Sequence, residues 1–165
     1  MHILMLCKRQ YTGQDLLDDR YGRLYSLPVG LASRGHSVTV ISASYRPRGR
    51  VDRMENGVRW RSVDLLPCPI AVTAAWHDAA ASQTPDVVVA SADALQLVGG
   101  ARFARELGCP VVLDLYDDYE SFALTRLPGL RTALRIACSR ADAVVAVSGT
   151  LARTLSARGV DSSRV

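Results

Sequence analysis

The sequence predicts an α/β fold: a doubly wound, mostly parallel sheet with helices on both faces. The first observation is a strand, a helix and a second strand within residues 1–41, where a helix ends at Gly35 and the strand-forming run 38–41 follows at once. The second is a series of short, mainly apolar runs, typical of strands that are covered on both faces. Because helical patterns separate these runs, the strands are expected to lie parallel.

Each element carries its own signal in the sequence. Buried strands are predicted by the apolar runs 3–7, 38–41, 86–90, 110–115 and 143–147. The alternating run 58–63 predicts a strand nearer the edge of the sheet. Helices are predicted at 94–107, before Gly108, at 130–140, and from the capping residue Ser148 to Arg158, with a short helix at 76–82.

Length and composition are those of one globular domain spanning residues 1–165. No run of about 18 uncharged apolar residues is present, so no transmembrane helix is expected. Lys8 and Arg9 follow the apolar stretch at the amino terminus, whereas a secretory signal has its cations before that stretch. The four cysteines are scattered without a Cys-x-x-Cys pair, which indicates buried thiols in a reducing compartment and neither disulfides nor a zinc site. We therefore expect a cytoplasmic location.

The chain carries a net charge of +4, and almost all of its basic residues are arginines. Nucleic acid is not expected as a partner, because the basic residues are not interleaved with aromatics, which make up only 6% of the chain. The densest basic run is 46–50, with Arg53 close behind. It is either a solvated loop or a face toward an anionic lipid-linked acceptor or a membrane. Arg131 and Arg135, one helical turn apart beside Leu130 and Leu134, could likewise support peripheral contact with the cytoplasmic face of an inner membrane. The alternative is a helix that packs its leucines inward and exposes its arginines.

Four stretches together resemble the amino-terminal domain of glycosyltransferase family 4, whose members have the two-domain GT-B fold. Residues 1–5 resemble the first strand of that Rossmann-like domain, and Leu-Ala-Ser-Arg-Gly-His-Ser-Val-Thr-Val at 31–40 is similar to its helix-to-strand signature. Residues 85–89 and 111–117 resemble its fourth and fifth strands, and 141–148 its following strand and helix cap. The resemblance covers essentially the whole chain.

This resemblance implies transfer of a sugar, of hexosyltransferase type, from a nucleotide-sugar donor to an acceptor with retention at the anomeric carbon. It implies a reaction that needs neither a metal nor a further cofactor. The amino-terminal half binds the acceptor, which is expected to be a glycan, a lipid-linked or a small molecule, for instance in bacterial cell-surface polysaccharide synthesis. The carboxy-terminal half holds the nucleotide and a pair of glutamates.

That glutamate pair is absent, because the three glutamates of the chain, Glu55, Glu106 and Glu120, do not have its spacing. We therefore expect half an enzyme that lacks its nucleotide-sugar-binding domain and is inactive alone. The alternative is a stand-alone, non-catalytic Rossmann-like module that binds a sugar or a nucleotide, since many functions share such sheets.

The first candidate site is the loop after the first strand, where a glycine lets backbone N–H groups approach a phosphate. Gly22, and also Gly13, are predicted to contact substrate, with Arg23 beside them; Lys8, Arg9 and Arg20 could add charge. In the alternative interpretation, Gly22 only begins the helix and the cations are solvated. No Gly-x-Gly-x-x-Gly pattern is present, which argues against NAD or FAD.

The second candidate site follows the strand at 110–115. Carboxylates and phenols at the carboxyl edge of a parallel sheet can bind sugar hydroxyls or orient a nucleophile. Asp117 is the predicted catalytic residue, and Tyr116 and Glu120 are predicted to bind substrate.

Two further substrate contacts are predicted at Ser91 and Asp93, in the loop after the strand at 86–90, although Asp93 could instead cap the next helix. Asp118 fits a capping role better, and Asp114 a structural hydrogen bond within its strand. No metal-ligand cluster is apparent in the sequence.

Overall fold

The computed structural model describes residues 1–165, and the chain divides into two compact units, Met1–Asp86 and Val87–Val165. Both units are α/β, with a mostly parallel sheet, as the sequence predicts. No helix in either unit has the length and apolar character needed to cross a bilayer.

The first unit contains six strands and two helices: β1 (His2–Lys8), β2 (Gln10–Tyr11), β3 (Gln14–Asp15), α1 (Arg23–Ala32), β4 (Ser37–Ser44), β5 (Val51–Glu55), β6 (Val58–Asp64) and α2 (Ile70–Ser82). Its sheet has the order β5-β6-β4-β1. β4 pairs parallel with both β1 and β6, and β5 pairs antiparallel with β6. The short strands β2 and β3 form a separate antiparallel hairpin directly after β1.

The core of the first unit lies around β1 and β4, which are buried along almost their whole lengths. Such burial requires cover on both faces of the sheet, which is what the continuous apolar runs predict. The turn between α1 and β4 closes at Gly35, whose φ of +86° lies in the left-handed region that favours glycine.

The second unit contains three parallel strands and three helices: β7 (Val87–Ser91), α3 (Ala94–Leu107), β8 (Val111–Leu115), α4 (Leu130–Arg140), β9 (Ala143–Ala146) and α5 (Gly149–Ala157). Its strand order is β7-β8-β9. Short 3-10 turns occur at Tyr119–Ser121, Ala123–Arg126 and Ser162–Arg164. The predicted helices at 94–107 and 130–140 are confirmed, and Ser148 caps α5 by accepting a hydrogen bond from the amide of Leu151.

The short strands β2 and β3, the edge strand β5 and the start of α2 differ from the prediction. β5 was not predicted, because Asp52 and Arg53 interrupt its apolar pattern, as is common in an exposed edge strand. α2 begins at Ile70, before the predicted start at 76, since the helix starts after Pro69 without a side-chain cap that would mark its first residue.

The prediction of four buried thiols is wrong in part. Cys7 and Cys138 are buried, but Cys109 is half-buried and Cys68 is exposed, and all four are free. Cys68 lies in a loop between two prolines, and Leu66 and both prolines are exposed as well, so no packed side chain covers the thiol.

Candidate functional site

Arg9, predicted as a cation that could face a ligand, is buried in the first unit. Its Nε donates to both carboxylate oxygens of Asp15, at 3.0 and 2.9 Å, and its Nη2 donates to Asp18 at 3.0 Å. The Arg9 side chain is only 3% exposed. Its charge is therefore balanced within the loop, and it holds the hairpin against the end of β1.

Burial alone raises the pKa of Asp15, but hydrogen bonds from the amides of Leu17 and Asp18 and from Arg9 outweigh this and hold the pKa below its ordinary value. The carboxylate is therefore ionised at neutral pH. It organises the loop by accepting hydrogen bonds from both backbone and side chain.

Gly13 lies at the tip of the hairpin, with a φ of +81°. It is exposed, and no atom lies within 4 Å of the position that a Cβ would take. A cavity of about 120 Å³ opens beside it, and two arginines of the predicted basic run, Arg46 and Arg48, line this cavity together with Asp15 and Asp19. Open backbone next to exposed arginines suits an anionic group, with the two carboxylates limiting how much negative charge fits.

Gly22 is the N-cap residue directly before α1. This is the position that the alternative interpretation, in which Gly22 begins the helix, gives it. Its φ is +74°, and the ring of Tyr11 lies 3.8 Å from the position of a Cβ. A side chain there would be strained by the backbone conformation whatever the available space. Arg23 is exposed in the first turn of α1, so both residues lie at a helix amino terminus, while their contact with substrate stays a prediction.

The remaining cations of this loop are engaged by neighbouring side chains. Arg20 forms an ion pair of 2.6 Å with Glu55, and the Lys8 ammonium lies 5.7 Å from the centre of the Tyr11 ring. Lys8 and Arg20 therefore stabilise the loop. Sequence reasoning missed the partner of Arg20 because Glu55 lies on the unpredicted strand β5.

In the second unit, the carboxyl ends of β7 and β8 bring Ser91 and Asp114 together. The two residues are in register, and the Ser91 hydroxyl donates to Asp114 Oδ2 at 2.8 Å. Ser91 is fully buried and Asp114 is 1% exposed. The structure thus gives Ser91 a structural hydrogen-bond partner. The sequence predicted such a structural hydrogen bond for Asp114 but not for Ser91.

The next two residues after β7 are held tightly. Asp93 caps α3 by accepting hydrogen bonds from the amides of Leu95 and Gln96, at 3.0 and 3.1 Å. Ala92 is buried with a φ of +103°, a conformation that residues with a side chain rarely adopt. Backbone strain of this kind occurs often at functional sites, where the surrounding structure enforces it.

Asp117 lies in the loop after β8 and is exposed. Its carboxylate accepts a hydrogen bond of 2.8 Å from the amide of Asp118. The half-buried Tyr116 ring packs edge-on against the buried Tyr119, with ring centres 5.6 Å apart. Burial, and then the neighbouring Tyr116, raises the pKa of Tyr119, so its phenol stays protonated. The packed rings of Tyr116 and Tyr119 therefore support the loop, and the carboxylate of Asp117 is exposed to solvent.

Glu120 and Asp118 are fixed by arginines. Arg135 binds both carboxylate oxygens of Glu120, with a shortest distance of 2.7 Å, and Arg158 binds Asp118 at 2.6 and 2.9 Å. The hydrogen bond from Arg158 is the largest cause of the lowered pKa of Asp118. Asp118 also accepts from the amide of Glu120, which confirms its capping role.

This ion-pair network was not predicted, because Arg135 and Arg158 lie on helices distant in sequence. The network also helps to choose between membrane contact and inward packing for α4. Because Leu134 is buried and Arg135 binds Glu120, the structure favours the alternative in which α4 packs its leucine inward. No group of three or more His, Cys, Asp and Glu side chains is arranged to hold a metal ion.

Parallel strands that alternate with helices, as in these units, define the Rossmann-like class of α/β domains. The family of the chain follows from the sequence: residues 22–165 match the family described as "Glycosyl transferase 4-like domain". The chain belongs to this family, which confirms the resemblance to the amino-terminal domain of glycosyltransferase family 4. No curated protein sequence matches the chain.

Solved structures with the same fold include three from different organisms. Alr3699/HepE from Anabaena, in complex with UDP, has a TM-score of 0.63 and 17% identity over 99% of this chain and 42% of its own. UDP-GlcNAc 2-epimerase from Methanocaldococcus jannaschii has a TM-score of 0.59 and 11% identity, over 99% and 44%. UGT89C1 from Arabidopsis thaliana, complexed with UDP, has a TM-score of 0.55 and 13% identity, over 99% and 50%. The chain thus spans two fifths to half of these structures, and its fold is one half of GT-B.

Proposed function

We propose that this chain is the acceptor-binding half of a retaining glycosyltransferase. It would act with a carboxy-terminal domain that binds a nucleotide-sugar donor, and transfer a hexosyl group to a glycan, lipid-linked or small-molecule acceptor. The observation that carries the proposal is the family match over residues 22–165. Two of the structures with this fold hold UDP, which supports a nucleotide-sugar donor for the whole protein.

In the second unit, Asp117 is the proposed catalytic residue. It is an exposed carboxylate at the carboxyl end of β8, oriented by a hydrogen bond from the amide of Asp118, and an acceptor hydroxyl could donate a further hydrogen bond to it. Tyr116 and Asp93 would line the approach to this carboxylate. Glu120 and Ser91 would act by holding the loop and the strand end, since both already have side-chain partners.

In the first unit, the Gly13 turn and the amino terminus of α1 form a separate proposed contact with substrate. Open backbone at Gly13, beside Arg46 and Arg48, suits an anionic acceptor such as a sugar linked to a phosphate. Gly22 and Arg23 would contribute backbone and charge at the start of α1. Transfer would need neither a metal nor a further cofactor, and we expect the enzyme in the cytoplasm.

The test uses the whole coding region and the chain 1–165 side by side. Each protein is incubated with a panel of nucleotide sugars and glycan acceptors, and NMR of the product gives the anomeric configuration. We expect transfer with retention by the whole protein and very little donor hydrolysis by residues 1–165. Robust turnover by the chain alone would contradict the half-enzyme assignment, and an inverted product would contradict retention. Sugar binding without transfer by the whole protein would indicate the non-catalytic module.

A further inference from the structure

In the first unit, two loops follow neighbouring strands, and both begin at the carboxyl ends of those strands. β4 and β6 are parallel and paired up to Ser44 and Asp64, so residues 45–50 and 65–70 emerge side by side from one edge of the sheet. The Leu65 amide donates to the carbonyl of Ser44 at 2.7 Å, which ties the start of the second loop to the end of β4. The composition of each loop therefore contributes to one continuous surface.

The first loop is basic and has no acid of its own. Arg46, Arg48 and Arg50 are all exposed. The acid beside them, Asp64, accepts hydrogen bonds from the backbone amides of Arg48 and Gly49, at 3.1 and 3.0 Å, so it fixes the loop with its carboxylate oxygens. The loop is held rigidly while its arginine side chains face solvent.

The nearest acid on β5 is also engaged. Asp52 forms ion pairs with Arg59 at 3.1 Å and with Arg61 at 3.4 Å. Asp52 also interacts with Arg50, and Asp15 and Asp19 line the cavity beside Arg46 and Arg48, so these acids offset part of the charge of the loop. All three arginine side chains are nevertheless exposed and can contact a partner outside the chain.

The second loop is apolar and exposed. Leu66 and Ile70 are 62% and 74% exposed, and Ile70 is the most exposed large hydrophobic residue of the chain. Cys68 and the two prolines between them are exposed as well, and no charged residue occurs from Leu65 to Trp76. Exposed apolar side chains of this size next to a cationic cluster mark an interaction surface.

We infer that the loops 45–50 and 65–70 form a docking surface for an anionic lipid bilayer. The three arginines would contact headgroup phosphates, and Leu66 and Ile70 would enter the boundary between headgroups and acyl chains. An anionic bilayer can bind both loops at once, because its negatively charged headgroups would contact the arginines and the apolar layer beneath them would contact Leu66 and Ile70. Binding of this kind does not require the proposed transferase activity, so the two proposals can fail separately.

The experiment uses the exposed position of Cys68. In a Cys109→Ser background, Cys68 is the accessible thiol, because Cys7 and Cys138 are buried. It is labelled with a fluorophore sensitive to its environment, and the chain is titrated with vesicles of phosphatidylcholine, with or without one third phosphatidylglycerol. We expect a blue shift only with the anionic vesicles, and a weaker response as salt is raised.

Matched variants separate this surface from general charge and hydrophobicity. The triple variant R46S/R48S/R50S should bind about 100-fold more weakly, at about fivefold for each arginine. The control R105S/R140S/R153S removes the same charge from exposed positions elsewhere and should keep binding close to wild type. L66S/I70S, labelled at the same Cys68, should lose the blue shift, whereas L127S/I136S, also exposed, should retain it.

Three results would overturn the inference. One is an equal loss of binding in both arginine triples, which would indicate a general charge effect. Another is equal binding to vesicles with and without anionic lipid. The third is binding by residues 1–165 with no binding by the whole protein, which would mean that another part of that protein covers this surface.

Discussion

Arg158 binds Asp118 through two hydrogen bonds, of 2.6 and 2.9 Å, and thereby attaches the end of α5 to the residue that follows Asp117. Arg135 binds Glu120 in the same two-pronged manner from α4, and Arg158 also lies 3.5 Å from Glu120. The loop after β8 is thus fixed by two helices on the carboxyl side of Asp117. We interpret the two arginines as positioning residues for that carboxylate.

Replacement of Arg158 by methionine should loosen this loop at a modest cost in stability. The pair is partly exposed, with side chains 26% and 36% exposed, so we expect about 1 kcal/mol or less of lost unfolding free energy. Amide exchange over residues 116–121 should nevertheless become faster, because the ion pair is what holds that segment. Arg153→Met on the same helix is the control, and equal exchange in both variants would remove Arg158 from the positioning role.

The contribution of this pair should depend on pH. The hydrogen bond from Arg158 lowers the pKa of Asp118 below its ordinary value of 3.8. A carboxyl whose pKa is lower in the folded state stabilises the fold above its unfolded pKa, and this stabilisation is lost as pH falls through the folded pKa. The difference in unfolding free energy between wild type and Arg158→Met should therefore be constant near neutral pH and shrink below about pH 4. Urea unfolding from pH 3 to pH 7 measures it, and a gap that widens in acid would contradict the assignment.

Asp15 should be the most sensitive residue of the loop after β1. Asp15→Asn leaves the buried Arg9 guanidinium without its main counter-charge, which typically costs about 3 kcal/mol or more. Asp18→Asn is the matched control: Asp18 contacts the same arginine, but its side chain is 53% exposed, so we expect a loss below about 1 kcal/mol. Equal losses in chemical denaturation would show that burial does not decide the effect.

The double variant R9M/D15N separates the charge from the packing. It removes the buried cation together with its partner, and it should recover part of the stability that Asp15→Asn alone loses. If the double variant is less stable than Asp15→Asn alone, Arg9 stabilises the loop even without Asp15, through its packing and its hydrogen bond to Asp18.

Elements with local signals were predictable from the sequence, whereas side-chain partners were not. α3 was predicted with its observed ends, since Asp93 before it and Gly108 after it mark both termini. β5 lacks such marks, and its pairing with β6 is visible only once the sheet is formed. From the sequence, Arg9 could face a ligand or solvent, because a sequence shows a charge but not its direction. In the structure its guanidinium donates to Asp15.

The candidate residues of the second unit divide by the same criterion. Glycines and acids at strand ends can be found from the sequence, because strand ends are marked by the end of an apolar run. Ser91 and Asp114 are 23 residues apart, and only the register of β7 with β8 places the hydroxyl on the carboxylate. Whether a polar side chain at a strand end can bind a substrate thus depends on which residue the neighbouring strand places opposite it.

Kinetics of the whole protein should distinguish Asp117 from Ser91. Asp117→Asn removes an exposed carboxylate without removing a packed group, so kcat/KM should fall by about a hundredfold or more while the unfolding free energy stays unchanged. Ser91→Ala instead deprives the buried Asp114 of a donor, which should cost about 1 to 3 kcal/mol of stability and leave KM for the acceptor close to wild type.

Asp78→Asn, at an exposed position on α2, controls for loss of a surface carboxylate and should change neither quantity. If Ser91→Ala raises the KM for the acceptor without changing the unfolding free energy, Ser91 contacts the substrate, as the sequence predicted. Unchanged kinetics in Asp117→Asn would remove Asp117 from the reaction.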